Sequence, residues 1–216
     1  MSTTTDEKYE YSYQDSETEH HHAYIIPALM EMISESAPLL ESKPKPRILD
    51  IGCGNGSLTN LIAQSGYEVV GVEESKSGVE LAKQVFPNCQ FIQGSIYNLP
   101  YAEIGDNFDL VIAAEVIEHL FLPRELVRNA KKCLKPNGRL IVTTPYHGYL
   151  KNLILAVSGK MDQHFTALWD GGHIKFFSVS TITQLLELEG YGDIKFKFAG
   201  RFPYTWKSIL CSSTLS

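Results

Sequence analysis

The chain of 216 residues has no apolar run of the roughly 18–20 residues that a membrane-spanning helix needs. Its four cysteines, Cys53, Cys89, Cys133 and Cys211, lie far apart and form no C-x-x-C pair, so a disulfide framework or zinc knuckle is not indicated. No stripe of basic residues is evident, which argues against a nucleic-acid substrate. The N-terminus is acidic and polar, unlike a signal peptide. Together these absences favour a cytoplasmic location.

Charge is distributed unevenly along the chain. The net charge is −6, from 19 Lys and Arg against 25 Asp and Glu. The first 22 residues hold six acids and one base, so they carry −5, and the remainder is almost neutral. We therefore divide the chain into a polar acidic segment, residues 1–19, and one domain, residues 20–216, which is an ordinary domain size.

Strand and helix patterns alternate through the domain. Short apolar strands are predicted at 47–51, 68–72, 90–93, 108–114, 139–144, 194–199 and 205–212. Helices are predicted at 22–40, 57–64, 77–86 (capped by Ser77), 124–134, 150–157 and after the capping Ser178. Such alternation predicts an α/β fold, with a mostly parallel sheet covered by helices on both faces. Ligands of such sheets bind at the carboxyl ends of the strands.

A glycine-rich turn follows the first strand. Its sequence from Asp50 is Asp-Ile-Gly-Cys-Gly-Asn-Gly, and a helix begins at Ser57. A dinucleotide site requires G-x-G-x-x-G, whereas here the sixth position is Ser57. Asp50 would also repel a pyrophosphate. A cationic ligand therefore suits the turn better than NAD, although an NAD-dependent dehydrogenase is retained as an alternative.

Residues 48–56 resemble the first motif of the class I S-adenosylmethionine-dependent methyltransferases. The resemblance implies a three-layer Rossmann-like sandwich with a seven-stranded, mostly parallel sheet whose last strand is antiparallel. It also implies that Asp50 holds the amino-acid end of the cofactor and that Glu73, at the end of the second strand, accepts hydrogen bonds from the ribose hydroxyls. Glu74 is the second candidate for that role. The backbone of the turn is implied to contact the cofactor at Gly52, Cys53, Gly54 and Gly56.

The third cofactor segment of the family falls at Gly94-Ser95-Ile96. Many relatives carry Asp where this chain has Ser95. The resemblance therefore implies that Ser95 and Ile96, or the backbone there, contact the adenine.

A Glu-x-x-Glu-His run follows the fourth strand, at Glu115, Glu118 and His119. With His173 in a later loop, it resembles the ubiquinone-biosynthesis O-methyltransferases, in which such a run is a divalent-metal site. The resemblance implies Glu115, Glu118 and His119 as metal ligands, His173 as a fourth candidate, and a cofactor contact from Glu115. The alternative is that no metal binds and that His119 or His173 acts as the catalytic base.

The domain is divided into a cap helix at 20–41, a cofactor-binding core at 46–144, an insertion at 145–177 and a C-terminal part at 178–216. The acceptor pocket is expected between the cap helix and the insertion. The acidic, tyrosine-bearing segment is predicted to form part of a lid over the cofactor. The expected function is methyl transfer to a small molecule, most simply at a hydroxyl oxygen. A binding protein without catalysis is the alternative from another class.

Overall fold

In a computed structural model, residues 11–15, 22–36 and 46–215 are described, and they contain one seven-stranded sheet. The remaining parts of the segment 1–19 and of the helix predicted to reach Leu40 lie outside these residues. The strands are β1 (Arg47–Ile51), β2 (Glu68–Glu73), β3 (Gln90–Gln93), β4 (Phe108–Ala114), β5 (Leu134–Pro145), β6 (Tyr191–Ala199) and β7 (Ser208–Leu215).

The strand order is β3-β2-β1-β4-β5-β7-β6. Neighbouring pairs from β3 to β5 are parallel, and β7 is antiparallel to both β5 and β6. The predicted mostly parallel sheet of seven strands with an antiparallel last strand is therefore confirmed. The order reverses at β1, so the carboxyl ends of β1 and β4 flank the switch point at which ligands bind in such sheets.

Helices cover both faces of the sheet. They are α1 (His22–Ser36), α2 (Ser57–Gln64), α3 (Lys76–Val85), α4 (Tyr101–Ile104), α5 (Pro123–Cys133), α6 (Tyr149–Val157), α7 (Met161–Phe165) and α8 (Val179–Leu188). Successive residues of β1 point to opposite faces: Leu49 belongs to the core formed with α5 and α8, and Ile48 to the core formed with α1 and α2. The predicted three-layer Rossmann-like sandwich is confirmed.

Two predicted boundaries were wrong for local reasons. The cap of α3 is Ser75 rather than Ser77, because the Ser75 hydroxyl accepts the backbone N–H of Gly78 at 3.2 Å. Strand β5 begins at Leu134 rather than Arg139, because Leu134 already pairs with Phe108 across an irregular register.

The C-terminal strands are also displaced. Strand β6 begins at Tyr191 rather than Ile194, and β7 runs from Ser208 instead of Thr205. The intervening turn is longer than predicted, and it is closed where the backbone N–H of Lys207 donates to the carbonyl of Ala199 at 3.0 Å.

The described part of the chain has no helix with the length and apolar character that crossing a bilayer requires.

Candidate functional site

The glycine turn leaves β1 at the centre of the sheet and is tied to β2. The backbone N–H groups of Gly52 and Cys53 donate to the carbonyl of Val72 at 2.7 and 3.1 Å. Gly52 has φ +75°, and a Cβ there would lie 2.6 Å from a methyl group of Val116. Glycine is therefore required on both conformational and steric grounds.

Gly54 and Gly56 serve different purposes. A Cβ on Gly54 would lie 2.9 Å from the hydroxyl of Tyr13, whereas one on Gly56 would lie 2.7 Å from the ring of Phe91. Gly54 faces the cavity described below, while Gly56 is outside its lining and lets α3 and β3 approach the turn. The predicted cofactor contact of Gly56 stays a prediction.

Asp50 is a buried carboxylate beneath the turn. Its Oδ2 accepts a hydrogen bond from the hydroxyl of Thr59 on α2 at 2.6 Å. Burial raises the pKa of Asp50 from 3.8 to about 6; the Thr59 hydrogen bond opposes the shift and the charge of Glu73 adds to it. A cation placed beside Asp50 would offset this cost of ionisation.

Glu73 stands at the carboxyl end of β2. One carboxylate oxygen accepts the backbone N–H of Gly54 at 3.0 Å and the other accepts that of Ser75 at 2.8 Å. Burial raises the pKa of Glu73, and these two hydrogen bonds oppose the increase. Each oxygen retains a lone pair, so Glu73 can still accept a hydrogen bond from a diol.

Glu74 is exposed and accepts a hydrogen bond from the Ser95 hydroxyl at 3.3 Å. Ser95 and the half-buried Ile96 follow β3. All three residues line the same cavity as Glu73. They are placed at the edge where the resemblance implies the adenine.

The described N-terminal residues 11–15 lie across the glycine turn. The Ser75 hydroxyl donates to the carbonyl of Tyr11 at 2.6 Å, and the backbone N–H of Tyr13 donates to the Ser77 hydroxyl at 3.2 Å. The Tyr13 ring lies close enough to Gly54 that a Cβ there would be 3.2 Å from its carbon atoms. The segment therefore covers the turn from the solvent side; its action as a lid stays a prediction.

One cavity of about 1980 Å³ joins the two predicted halves of the site. This is about twice the volume of a large single-ligand pocket, so it has room for two molecules. The predicted site residues on its lining are Asp50, Gly52, Cys53, Gly54, Glu73, Glu74, Ser95, Ile96, Glu115, His119 and His173.

Burial raises the pKa of the Cys53 thiol well above its usual value, so Cys53 contributes shape rather than a nucleophile.

Glu115 follows β4 in a left-handed backbone conformation, with φ +55°. Its carboxylate accepts hydrogen bonds from Thr143 at 2.8 Å and Ser208 at 3.4 Å. Burial raises the pKa of Glu115 to about 7, opposed by these hydroxyls and then by the charge of Lys151. Glu115 is thus bound to the neighbouring strands β5 and β7.

His119 and His173 meet above the buried Glu118. The two imidazole rings are edge to face, with centroids 4.8 Å apart. The backbone N–H groups of Ile174 and Lys175 donate to the carbonyl of Glu118 at 2.9 and 3.0 Å, which fixes the loop carrying His173.

The orientation of His119 follows from one contact. Its Nδ1 lies 2.8 Å from the carbonyl oxygen of Gly171. Because a carbonyl oxygen only accepts, Nδ1 carries the hydrogen, and the lone pair of the neutral ring is on Nε2.

Glu118, His119 and His173 offer ligand atoms within 4.8 Å of one another. Neither carboxylate oxygen of Glu118 has a hydrogen-bond partner among the described residues. Burial, and then the charge of Glu115, raises the pKa of Glu118. One unpartnered carboxylate and two imidazoles fit a divalent transition metal. Glu115, the third ligand implied by the resemblance, is not in this group. The structure places His173 beside Glu118 and His119 in its stead.

Residues 42–190 match a family described as "Methyltransferase domain". This match covers more than two thirds of the chain. The chain belongs to the methyltransferase-domain family.

Among curated relatives, the ubiquinone biosynthesis O-methyltransferase of Azorhizobium caulinodans is 35% identical over 52% of this chain and 45% of that protein. The mitochondrial protein of the same name from Schizosaccharomyces pombe is 33% identical, over 50% of this chain and 41% of its own length. The chain thus spans less than half the length of these two relatives.

Solved structures share the fold of this methyltransferase domain. Magnesium protoporphyrin IX methyltransferase from Synechocystis PCC 6803, with bound S-adenosylhomocysteine (SAH), has a TM-score of 0.64 at 19% identity. The match covers 94% of this chain and 91% of that chain. A protein from Pyrococcus horikoshii has a TM-score of 0.65 at 20% identity, covering 94% and 95% of the two chains.

Sequence reasoning missed several residues on the cavity lining, namely Tyr24, Asn55, Lys151 and Arg201. The sequence did contain an indication of the role of Lys151, because it is the one charged residue in the apolar stretch 149–157. Its side chain is buried, against the usual exposure of lysine. The sequence contained no such indication for Arg201, because this residue lies in a turn whose bounds the sequence does not reveal.

Proposed function

We propose that this methyltransferase domain transfers the methyl group of S-adenosylmethionine to a hydroxyl oxygen of a small molecule. The observation that carries the proposal is the pair of buried carboxylates, Asp50 and Glu73, beside the glycine turn in a cavity that also holds His119 and His173. Membership of the family supports the reaction type. The names of the curated relatives support oxygen as the acceptor.

The two carboxylates suit the two polar parts of this cofactor. Asp50 would hold the positively charged amino group, because a buried carboxylate with a raised pKa gains most from a cation. Glu73 would accept the ribose hydroxyls with its remaining lone pairs. Ser95 and Ile96 would lie at the adenine, with Glu74 at the rim.

The reaction requires alignment and the removal of one proton. The acceptor oxygen forms a bond to the methyl carbon as the carbon–sulfur bond breaks, and the sulfonium takes the electron pair. The proton of the acceptor hydroxyl passes to Nε2 of His119, whose Nδ1–H is held by Gly171. The His173 ring packs edge to face on the His119 ring.

The proposal has a first test in cofactor binding. We expect calorimetric titration with SAH to give a micromolar dissociation constant. We expect Tyr13→Ala to raise that constant about tenfold, or about 1.4 kcal/mol, because the ring that covers Gly54 is lost. Tyr149→Ala is the matched control, since Tyr149 is exposed and outside the cavity lining.

No heat of binding from the unmodified chain would overturn the proposed function. Normal binding with an unchanged constant for Tyr13→Ala would overturn only the lid role of residues 11–15. Binding of SAH without turnover of any hydroxyl acceptor would instead favour a binding protein.

A divalent metal is the alternative to His119 as the base, because the single lone pair on Nε2 of His119 cannot both coordinate an ion and accept a proton. Glu118, His119 and His173 would hold it. When bound, such an ion lowers the pKa of a hydroxyl that coordinates it.

Removal of the metal with a chelator tests whether turnover depends on the ion. We expect an excess of EDTA to lower turnover at least about tenfold without changing SAH affinity, and zinc or magnesium to restore it. Glu118→Gln should abolish binding of the metal alone in calorimetry, whereas Glu115→Gln should retain it, because the Glu115 carboxylate is bound to Thr143 and Ser208. Full turnover in excess EDTA would remove the metal from the proposal.

A further inference from the structure

Positive charge converges on the part of the cavity away from the glycine turn. The cations on this lining come from α6, the residues after α6 and the turn between β6 and β7; they are Lys151, Lys160, Arg201 and Lys207. Two acids outside the glycine turn and the ends of β2 and β3, Glu115 and Asp170, also line the cavity. Within residues 11–15, 22–36 and 46–215, none of the four cations forms an ion pair.

Lys151 is the buried member of this group, 8% exposed. Its Nζ donates one hydrogen bond, to the carbonyl of Tyr146 at 2.8 Å. An ammonium has three N–H donors, so two remain for a ligand in the cavity. Lys207 is held differently, with its Nζ 4.7 Å from the centroid of the Tyr24 ring.

The positive charge lowers the pKa values of three basic groups, Lys151, His147 and His164. Burial and then the charge of Arg201 lower the pKa of Lys151 to about 8, although Glu115 opposes this. Burial and then the charge of Lys151 lower the pKa of His147 to about 4. The same causes, with Arg201, lower the pKa of His164. A bound anion would relieve all of these unfavourable interactions.

An aromatic box lies beside the cations. The ring of His147 is stacked on Phe165 with centroids 5.8 Å apart, and Phe176 meets His147 edge to face at 4.9 Å. All three side chains line the cavity. The box suits a flat or apolar body attached to a charged group.

We propose that the methyl acceptor carries an anionic group, a carboxylate or a phosphate, which binds to Lys151 and Arg201 while its apolar body lies against His147, Phe165 and Phe176. This inference rests on the proposed function, because it concerns the acceptor half of the same cavity. The charge of Lys151 compensates the anion where water is excluded, and Arg201 supplies a planar donor pair at the mouth.

Matched probes test the charge preference without knowledge of the natural acceptor. The protein saturated with SAH is titrated with 4-phenylbutyrate, 4-phenylbutyl phosphate, 4-phenylbutan-1-ol and 4-phenylbutylamine. We expect one of the two anions to bind at least about tenfold more tightly than the alcohol, and the amine more weakly than the alcohol. The stronger anion identifies the carboxylate or the phosphate as the group recognised.

Two variants assign the preference to residues. Lys151→Met keeps the length of the side chain and removes the charge, and we expect it to reduce the anion preference to less than about twofold. Arg201→Gln, at an exposed position, should weaken anion binding if Lys151→Met fails to fold. Lys195→Met is the control, because Lys195 is exposed, pairs with Asp193 and is outside the cavity lining.

Equal binding of alcohol and anion, or no anion binding at millimolar concentration, would overturn the inference. Retention of the preference in both cavity variants would also overturn it. In each case normal SAH binding shows that the proposed function survives, whereas loss of SAH binding by the unmodified chain shows that the proposed function itself has failed.

Discussion

Replacing Asp50 with Asn is expected to weaken SAH binding about 100-fold, or about 2.7 kcal/mol, while stabilising the ligand-free chain at neutral pH. The affinity falls because the carboxylate proposed to hold the cofactor's amino group is gone. The stability rises because Asp50 is 1% exposed and its ionisation is opposed by burial. Asn keeps an oxygen that can accept the hydrogen bond from Thr59.

The pH dependence has a definite sign. The pKa of Asp50 is about 6 in the folded chain against its ordinary 3.8, so the native state holds the proton more tightly than the unfolded state. The cost of ionisation is present above pH 6, declines as the pH falls toward 3.8, and is absent below that value. Denaturant unfolding should show Asp50→Asn to be more stable at pH 7 by up to about 3 kcal/mol, and its advantage should vanish near pH 4.

In the unmodified chain, cofactor affinity should fall as the pH falls, whereas the cost of ionising Asp50 disappears. Below about pH 6 the Asp50 carboxylate gains a proton, so the affinity for SAH should decrease with falling pH. At one fixed SAH concentration the unmodified chain should then be stabilised more than the variant at pH 7, because the stabilisation increases with the ratio of ligand concentration to dissociation constant.

Asp109→Asn is the matched control. Asp109 is also a buried aspartate, on β4, but it pairs with Lys135 at 2.6 Å and accepts the backbone N–H of Arg47 at 2.8 Å. We expect this variant to be less stable and to bind SAH normally. If Asp50→Asn also lost stability and kept its affinity, Asp50 would have a structural role and no part in cofactor binding.

The arrangement of Asp50, Glu73 and the glycine turn was predictable because these residues are local in sequence. Strand β1 is buried on both faces and therefore shows as an apolar run, and Asp50 lies within that run. Parallel pairing then places the end of β2, with Glu73, next to the turn. Short-range patterns suffice wherever function depends on the ends of adjacent central strands.

The part of the cavity around His119, His173 and Lys151 was less predictable because it depends on contacts between distant residues. His173 joins Glu118 and His119 only because its loop donates two backbone hydrogen bonds to the carbonyl of Glu118. Lys151 is on a helix with several exposed apolar side chains, so its burial inverts the usual amphipathic pattern. No periodicity in the sequence reveals either arrangement.

Replacing His119 with Ala is expected to lower kcat about 100- to 10,000-fold, the usual contribution of a general base, and to leave the affinity for SAH unchanged. The expectation follows from the ring's position on the cavity and from the Gly171 contact that leaves Nε2 as the basic atom. Steady-state measurements with S-adenosylmethionine and a hydroxyl acceptor give kcat, and SAH calorimetry gives the affinity.

His119→Asn distinguishes catalysis from positioning. The Asn amide can donate to the Gly171 carbonyl much as Nδ1 does, so it preserves the loop contact, but it has no basic nitrogen. If His119 accepts the proton, the Asn variant should be as slow as the Ala variant. Recovery of most of the activity by Asn would instead make His119 a positioning residue that holds the loop carrying His173, and the proton would then have to leave by another path.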